Sequence, residues 1–135
     1  MEKIKVMLDT SAYSAFLRGN HEIKLSIQEA DEIILNPVII GELLAGFAMG
    51  KNEKKNRTVL QEFISSPRVR VVNIDDETSE RYAAIINYLR MKGAPIPTND
   101  LWIAASAMQC GLKVLTTDSH YLNVPQIITE YYQVG

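Results

Sequence analysis

The sequence has one cysteine, two histidines and no long apolar run. Cys110 has no second cysteine with which to form an internal disulfide, and no apolar stretch follows a basic start. Secretion is therefore not expected, and a reducing cytoplasm is the predicted location. None of the apolar stretches reaches the ~20 residues that a membrane helix needs, so no contact with a membrane is predicted. We interpret Cys110 as a small core residue of an alanine-rich helix.

The scarcity of cysteine and histidine also disfavours a zinc site. His21 and His120 have no companion at the spacing that zinc ligands require. We interpret both histidines as loop or packing residues.

Neither basic nor acidic residues are present in large excess. The 14 basic and 16 acidic residues leave a net charge of −2, which argues against a protein that holds nucleic acid by bulk electrostatics. Nucleic acid remains possible as a substrate. With 135 residues, 47% of them apolar, and no low-complexity tract, the chain is expected to fold as one domain over residues 1–135.

Short apolar runs alternate with helical patterns along the chain. We predict strands at residues 4–8, 33–35, 69–74 and 113–116, and an edge strand near 127–128. These runs are continuously apolar, which is typical of parallel strands covered on both faces. The pattern predicts an α/β/α sandwich with a mostly parallel central sheet.

One of the predicted helices has clear end signals. Asn36 and Pro37 supply a capping residue and a first-turn proline, and Gly50 ends the helix. The basic segment at residues 51–57 follows, and we predict it to be a turn between two helices rather than a domain boundary.

Three aspartates are placed where the active sites of parallel sheets usually form. Asp9 directly follows the first strand, Asp118 follows the strand that ends near Thr116, and Asp100 opens a helix. Because carboxyl ends of parallel strands and helix N-termini converge at one edge, all three can face one crevice. Glu42 lies within an otherwise apolar helix, where a carboxylate is costly without a partner.

Four carboxylates at one edge repel one another unless a cation lies between them. Oxygen ligands favour Mg²⁺ or Mn²⁺, which activate water and stabilise charge on a phosphoryl oxygen. Phosphodiester hydrolysis is therefore the predicted reaction. The simpler interpretation of each acid stays open: Asp9 and Asp100 as helix caps, Asp118 as a turn residue, and Glu42 as a solvated side chain.

Without these four acids the chain is mildly basic, with 14 basic residues against 16 − 4 = 12 acidic ones. Four of the cations fall within seven residues: Lys51, Lys54, Lys55 and Arg57. They could hold a nucleic-acid backbone beside the acids, or they could form a solvated helical turn, and both alternatives remain open.

Four segments carry a resemblance to PIN-domain nucleases, and more narrowly to the VapC-type toxins of prokaryotic toxin–antitoxin pairs. Residues 6–11 (VMLDTS) resemble the opening strand and first acid, and residues 36–43 (NPVIIGEL) the glutamate helix. Residues 98–105 (TNDLWIAA) and 115–121 (LTTDSHY) are similar to the segments of the third and fourth acids. All four occur in the family's order and span nearly the whole chain.

The resemblance implies a Mg²⁺-dependent endoribonuclease that attacks structured RNA such as tRNA or ribosomal RNA. Asp9, Glu42, Asp100 and Asp118 would surround the metal, a cognate antitoxin would inhibit the enzyme, and the protein would be a homodimer. We expect Asp9, Asp100 and Asp118 to be the metal ligands and Glu42 to position or deprotonate the attacking water.

Two residues next to these acids are predicted to support the site. By physical analogy, Thr116 and Asn99 are candidates for holding metal-bound waters. The chain departs from the family in one respect, since Asn36 and Pro37 stand where a serine or threonine often precedes the glutamate.

Other functions fit the residues less well. A haloacid-type phosphatase needs a second aspartate at position 11, which is Ser11, and a receiver domain needs an acidic pair where Leu8 precedes Asp9. Glycine-rich phosphate loops do not occur in the sequence. A housekeeping RNA-processing nuclease and a catalytically silent module that binds RNA or protein remain as alternatives.

Overall fold

The computed structural model describes residues 2–134 and contains one five-stranded sheet within them. The strands are β1 (Lys5–Leu8), β2 (Glu32–Leu35), β3 (Val69–Val71), β4 (Lys113–Thr116) and β5 (Ile128–Tyr131). Their order is β3-β2-β1-β4-β5, and every neighbouring pair is parallel. All five carboxyl ends therefore lie at one edge of the sheet.

Six α-helices flank the sheet in the described part of the chain. They are α1 (Thr10–Leu17), α2 (His21–Glu29), α3 (Pro37–Met49), α4 (Glu53–Ile64), α5 (Asp76–Lys92) and α6 (Thr98–Cys110), with a 3₁₀ helix at Ser119–Asn123. The predicted α/β/α sandwich with a parallel central sheet is confirmed. Between residues 2 and 134 there is no helix with the length and apolar character to span a membrane.

The central strands are apolar on both faces because helices cover both faces. Met7, Ile34 and Val114, one from each of the three central strands, are 0% exposed. The edge strands β3 and β5 are more exposed. The continuous apolar runs of the sequence therefore mark the middle of the sheet, as parallel strands require.

Asn36 joins α3 to α6 at the edge that carries the acids. Its side-chain oxygen accepts a hydrogen bond from Ile39 N at 2.9 Å, which caps α3. Its amide nitrogen donates to Ser106 Oγ of α6 at 2.9 Å. Both Asn36 and Ser106 are 0% exposed, so this pair fixes the helix of Glu42 relative to the helix of Asp100.

Two predicted boundaries are wrong. The turn predicted at residues 51–57 is shorter, because α4 begins at Glu53, whose carboxylate lies 4.0 Å from Arg57 one turn further on. The strand predicted at 69–74 ends at Val71, because its partner β2 ends at Leu35 and offers no further pairing.

The interpretation of Cys110 as a core residue is also wrong. Cys110 is exposed at the last position of α6, beyond the buried Ala107. The buried, alanine-rich face of α6 ends at Ala107, before Cys110.

Replacement of Asn36 tests the join between α3 and α6. Asn36→Ala removes the cap and deprives the buried Ser106 hydroxyl of its partner, so we expect a loss of about 2–3 kcal/mol in the free energy of unfolding. Asn20→Ala is the matched control, since Asn20 caps α2 through Ile23 N but is only half-buried. The control should lose about 1 kcal/mol in urea denaturation, and equal losses in both variants would contradict this account.

Candidate active site

Asp9 is buried at the carboxyl end of the central strand β1. It is 3% exposed and caps α1, with Oδ1 accepting from Ala12 N at 2.8 Å. Ser11 Oγ donates to the carboxylate at 2.9 Å, and Thr116 Oγ1 donates to Oδ2 at 2.7 Å. Asp9 is therefore a helix cap, as one interpretation of the sequence had it, but a cap held by two hydroxyls from different elements, the half-buried Ser11 of α1 and the buried Thr116 of β4.

Thr116 places Asp9 and Asp118 relative to each other. Its hydroxyl donates to Asp9 and accepts a hydrogen bond from Asp118 N at 2.9 Å. Ser11 Oγ lies 3.2 Å from the same hydroxyl and accepts from Thr117 N at 3.1 Å. These bonds join the end of β1 to the end of β4.

Burial makes the charge of Asp9 costly. It raises the pKa of the carboxyl to about 6, and the nearby charge of Asp100 adds to the rise. The hydrogen bonds from Thr116, Ala12 and Ser11 act in the opposite direction. The ionised form is thus supported by donors but still carries a desolvation cost.

Asp100, Asp118 and His120 form the second half of the site. One ligand atom from each of these three residues lies within 4.8 Å of the others. His120 Nδ1 is 3.1 Å from Asp100 Oδ2 and 2.9 Å from Asp118 Oδ1. Tyr121, which is completely buried, donates its hydroxyl to Asp100 Oδ1 at 3.2 Å.

The interpretation of His120 as a loop or packing residue is wrong. The 3₁₀ helix that follows Asp118 turns the imidazole back between two carboxylates. Spacing in the sequence gave no sign of this, because its companions are aspartates and one of them, Asp100, belongs to another helix.

The pKa values of Asp100, His120 and Tyr121 are all shifted by burial and by neighbouring charges. Burial raises the pKa of Asp100, and the charge of Asp118 raises it further. Burial lowers the pKa of His120, but the hydrogen bond to Asp100 and the charges of both aspartates outweigh it, and the net shift is upward. The pKa of Tyr121 is also raised, by burial and then by the charges of Asp9 and Asp100, so its phenol stays protonated and remains a donor.

Glu42 lies on α3 beside this group. Thr10 Oγ1 donates to its Oε1 at 2.6 Å, and Asn99 Nδ2 donates to its Oε2 at 3.0 Å. Glu42 does not belong to the close cluster of Asp100, Asp118 and His120. Its two bonds tie it to the immediate chain neighbours of Asp9 and Asp100.

The structure thus links three of the four predicted acids at one edge, and Glu42 is tied to them through Thr10 and Asn99. Asp100 and Asp118 share a close cluster with His120, while Asp9 is linked to Asp118 through Thr116. Within residues 2–134, no lysine or arginine forms a salt bridge with any of the four acids. The only basic group bound to them there is the imidazole of His120.

This donor set fits a divalent cation. Buried carboxylates with raised pKa values gain stability when a cation approaches, and carboxylate oxygens are ligands that Mg²⁺ and Mn²⁺ prefer. Asp9, Asp100 and Asp118 could hold such an ion, with His120 adjacent. The predicted supporting residues, Thr116 and Asn99, lie against the acids themselves.

Sequence reasoning missed four contributors: Thr10, Ser11, His120 and Tyr121. Ser11 could have been suspected, because a hydroxyl in the first turn of a helix that follows a buried aspartate is well placed to donate to it. Thr10 donates instead to Glu42 of another helix, which the sequence gives no means of predicting. The position of Tyr121 depends on the 3₁₀ helix and on packing against α6, for which the sequence carries no signal.

The chain matches the PIN domain family over residues 6–127. Ribonuclease VapC4 of Mycobacterium tuberculosis is 31% identical over 90 residues, or 67% of this chain and 69% of that protein. Toxin FitB of Neisseria gonorrhoeae is 29% identical over 123 residues, or 84% of this chain and 88% of that protein. The crystal structure of DNA-bound VapBC from Salmonella typhimurium is similar in fold, with a TM-score of 0.80 and 25% identity over 94% of this chain and 97% of that chain.

The fold, the acids at the carboxyl edge of the sheet and the family match over residues 6–127 agree with one another. A five-stranded parallel sheet with carboxylates after β1 and β4 and on two helices is the arrangement that the resemblance of the four segments predicts. The chain belongs to the PIN-domain family, in its VapC group.

Binding of a divalent cation to this cluster should stabilise the fold. We expect MgCl₂ or MnCl₂ at about 100 times its Kd to stabilise the protein by about 2.7 kcal/mol relative to the protein in EDTA. Asp100→Asn should abolish that difference, because it removes a charged ligand from the cluster. Glu62→Gln, which neutralises an exposed acid on α4, should leave it unchanged. Thermal unfolding with and without the metal measures all three, and an equal response of wild type and Asp100→Asn would refute the site.

Proposed function

We propose that this protein is a Mg²⁺- or Mn²⁺-dependent endoribonuclease and the toxin of a toxin–antitoxin pair. Residues 1–135 act as one nuclease domain that cleaves structured RNA such as tRNA or ribosomal RNA in the cytoplasm. The observation that carries the proposal is the cluster of Asp100, Asp118 and His120 at the carboxyl edge of the sheet, to which Asp9 is joined through Thr116. None of the three aspartates has a lysine or arginine partner within residues 2–134.

The four acids have two roles in the proposed reaction. Asp9, Asp100 and Asp118 hold the metal, which when bound activates a water and stabilises developing charge on a phosphoryl oxygen. Glu42 positions the attacking water or accepts its proton. The hydrogen bonds from Thr10 and Asn99 fix both oxygens of Glu42, and each oxygen retains a lone pair for water.

The residues around the acids keep them in place. Thr116 and Ser11 orient the carboxylate of Asp9, and Tyr121 orients that of Asp100. Donors of this kind fix ligand geometry before metal arrives, so little reorganisation accompanies binding. We further propose that Thr116 and Asn99 contact waters on the metal.

An antitoxin partner and a homodimer complete the proposal. One relative is named a toxin, and the Salmonella typhimurium structure is of VapBC, a complex bound to DNA. By this similarity a cognate antitoxin binds the present chain and inhibits it. The association of two copies of the chain is proposed from the family resemblance of the sequence alone.

Asp9→Asn should reduce RNA cleavage by about 10²–10³-fold in the presence of Mg²⁺, because an amide cannot replace a charged ligand. Cleavage is measured by sequencing the RNA ends that arise after brief exposure of cellular RNA to the protein. Circular dichroism checks that the variant is folded, and Glu62→Gln serves as the exposed-acid control. Wild-type cleavage by Asp9→Asn would rule out the proposed site.

Expression of the protein alone should arrest growth, and a variant with all four acids converted to amides should not. Continued growth together with specific RNA ends would indicate a housekeeping nuclease. Stoichiometric retention of RNA without any new ends would indicate a binding module. Either result would overturn the toxin assignment.

A further inference from the structure

We propose that Lys51, Lys54 and Lys55 bind the phosphate backbone of the RNA that enters the acidic site, at a distance of several nucleotides from the cleaved bond. This inference rests on the proposed function, since it assigns the substrate strand a path over the surface. It gives a role to the basic segment that the nuclease chemistry does not use.

The three lysines line a concave surface, here called the lysine basin. The basin has a volume of about 520 Å³ and is lined by Lys51, Asn52, Lys54, Lys55, Thr58 and Val59. All three lysines are exposed. Within residues 2–134, Arg57 forms a salt bridge with Glu53, but no carboxylate lies within salt-bridge distance of the three lysines. Their charges are thus available to an anion.

A groove lies beside Glu42, on the helix α3 that ends two residues before Lys51. It has a volume of about 270 Å³ and runs between α1 and α3, lined by Thr10, Ser14, Glu42, Leu43, Gly46 and Phe47. One end holds Glu42 and Thr10, which belong to the candidate active site. The other end holds Phe47, four residues before Lys51.

Two glycines follow Glu42 along the face of α3 that carries it. Gly46 and Gly50 follow Glu42 at successive four-residue intervals, so the three residues lie on one face of α3 and its C-cap. A methyl group added at Gly46 would meet no atom within 4 Å, which shows open space above the backbone there. A polynucleotide strand can therefore lie close to α3.

The separation suits a strand that spans both sites. Glu42 and Met49 are separated by about 10 Å along α3, and Lys51 follows two residues later, after the extended Gly50. A reach of about 10–17 Å corresponds to about three to five stacked nucleotides at ~3.4 Å each. A strand with its scissile phosphate at the acids would place later phosphates at the lysine basin.

Electrostatics favours RNA over an acidic protein as the occupant. The acids repel a polyanion, so a nuclease with this site must gain affinity from cations elsewhere. An acidic polypeptide could use the basin but would gain nothing from the groove, because Glu42 lines the groove. RNA can use both places, because its reacting phosphate belongs at the acids and its other phosphates can bind the lysines.

Salt-dependent binding of RNA tests the inference. The basin variant is Lys51→Gln, Lys54→Gln and Lys55→Gln together. The matched control is Lys3→Gln, Lys24→Gln and Lys92→Gln, which removes the same charge from exposed lysines elsewhere. Fluorescence anisotropy of the full chain in EDTA measures Kd for a labelled single-stranded RNA of mixed sequence, as a function of NaCl concentration.

The basin variant should bind about 100-fold more weakly than wild type at ~0.1 M salt, and its slope of log K against log salt should be smaller by about 2, since each lost phosphate contact removes about 0.7. The control should keep the wild-type slope. Equal slopes in wild type and basin variant, or equal losses in basin variant and control, would overturn the inference. The inference would also be overturned if the basin variant lost binding to polyglutamate while its binding to RNA stayed unchanged.

Cleavage assays separate this inference from the proposed function. If wild type cleaves RNA and the basin variant has the same KM, the basin is refuted and the nuclease stands. If wild type binds RNA through the basin but yields no new ends with Mg²⁺ or Mn²⁺, the nuclease is refuted and the basin stands. Absence of RNA binding by wild type would refute both.

Discussion

Burial of the Asp9 carboxylate beside a second carboxylate costs free energy, and much of the surrounding structure reduces that cost. Asp9 ends the central strand, where helices on both faces exclude water, and its pKa is raised to about 6. Donors from α1 and β4 compensate part of the desolvation without neutralising the charge. A site with this residual cost gains stability from a cation, which is the physical basis of the proposed chemistry.

Much of this arrangement could be predicted from the sequence because it follows from chain topology. A continuously apolar run such as residues 33–35 needs cover on both faces, which fixes a parallel sheet. Once strands are parallel, an aspartate directly after a strand, such as Asp9 or Asp118, must lie at the common carboxyl edge. Neither step needs knowledge of side-chain contacts. The metal-binding and catalytic roles of these residues stay predictions.

The parts that could not be predicted depend on tertiary packing. The first turns of α4 carry no apolar period because they are exposed, so the start at Glu53 was missed. The length of β3 depends on where its neighbour ends, at Leu35. His120 joins the acids because a short 3₁₀ helix turns its imidazole back toward Asp100. Such turns are set by contacts between residues that are distant in sequence.

The order of the acids along the chain has a consequence for its synthesis. Asp9 and Glu42 leave the ribosome early, whereas Asp118 follows β4, which must be inserted beside β1. Until that happens Asp9 lacks both the hydroxyl of Thr116 and the neighbouring carboxylates. A nascent chain therefore has no complete cluster until β4 has been inserted beside β1.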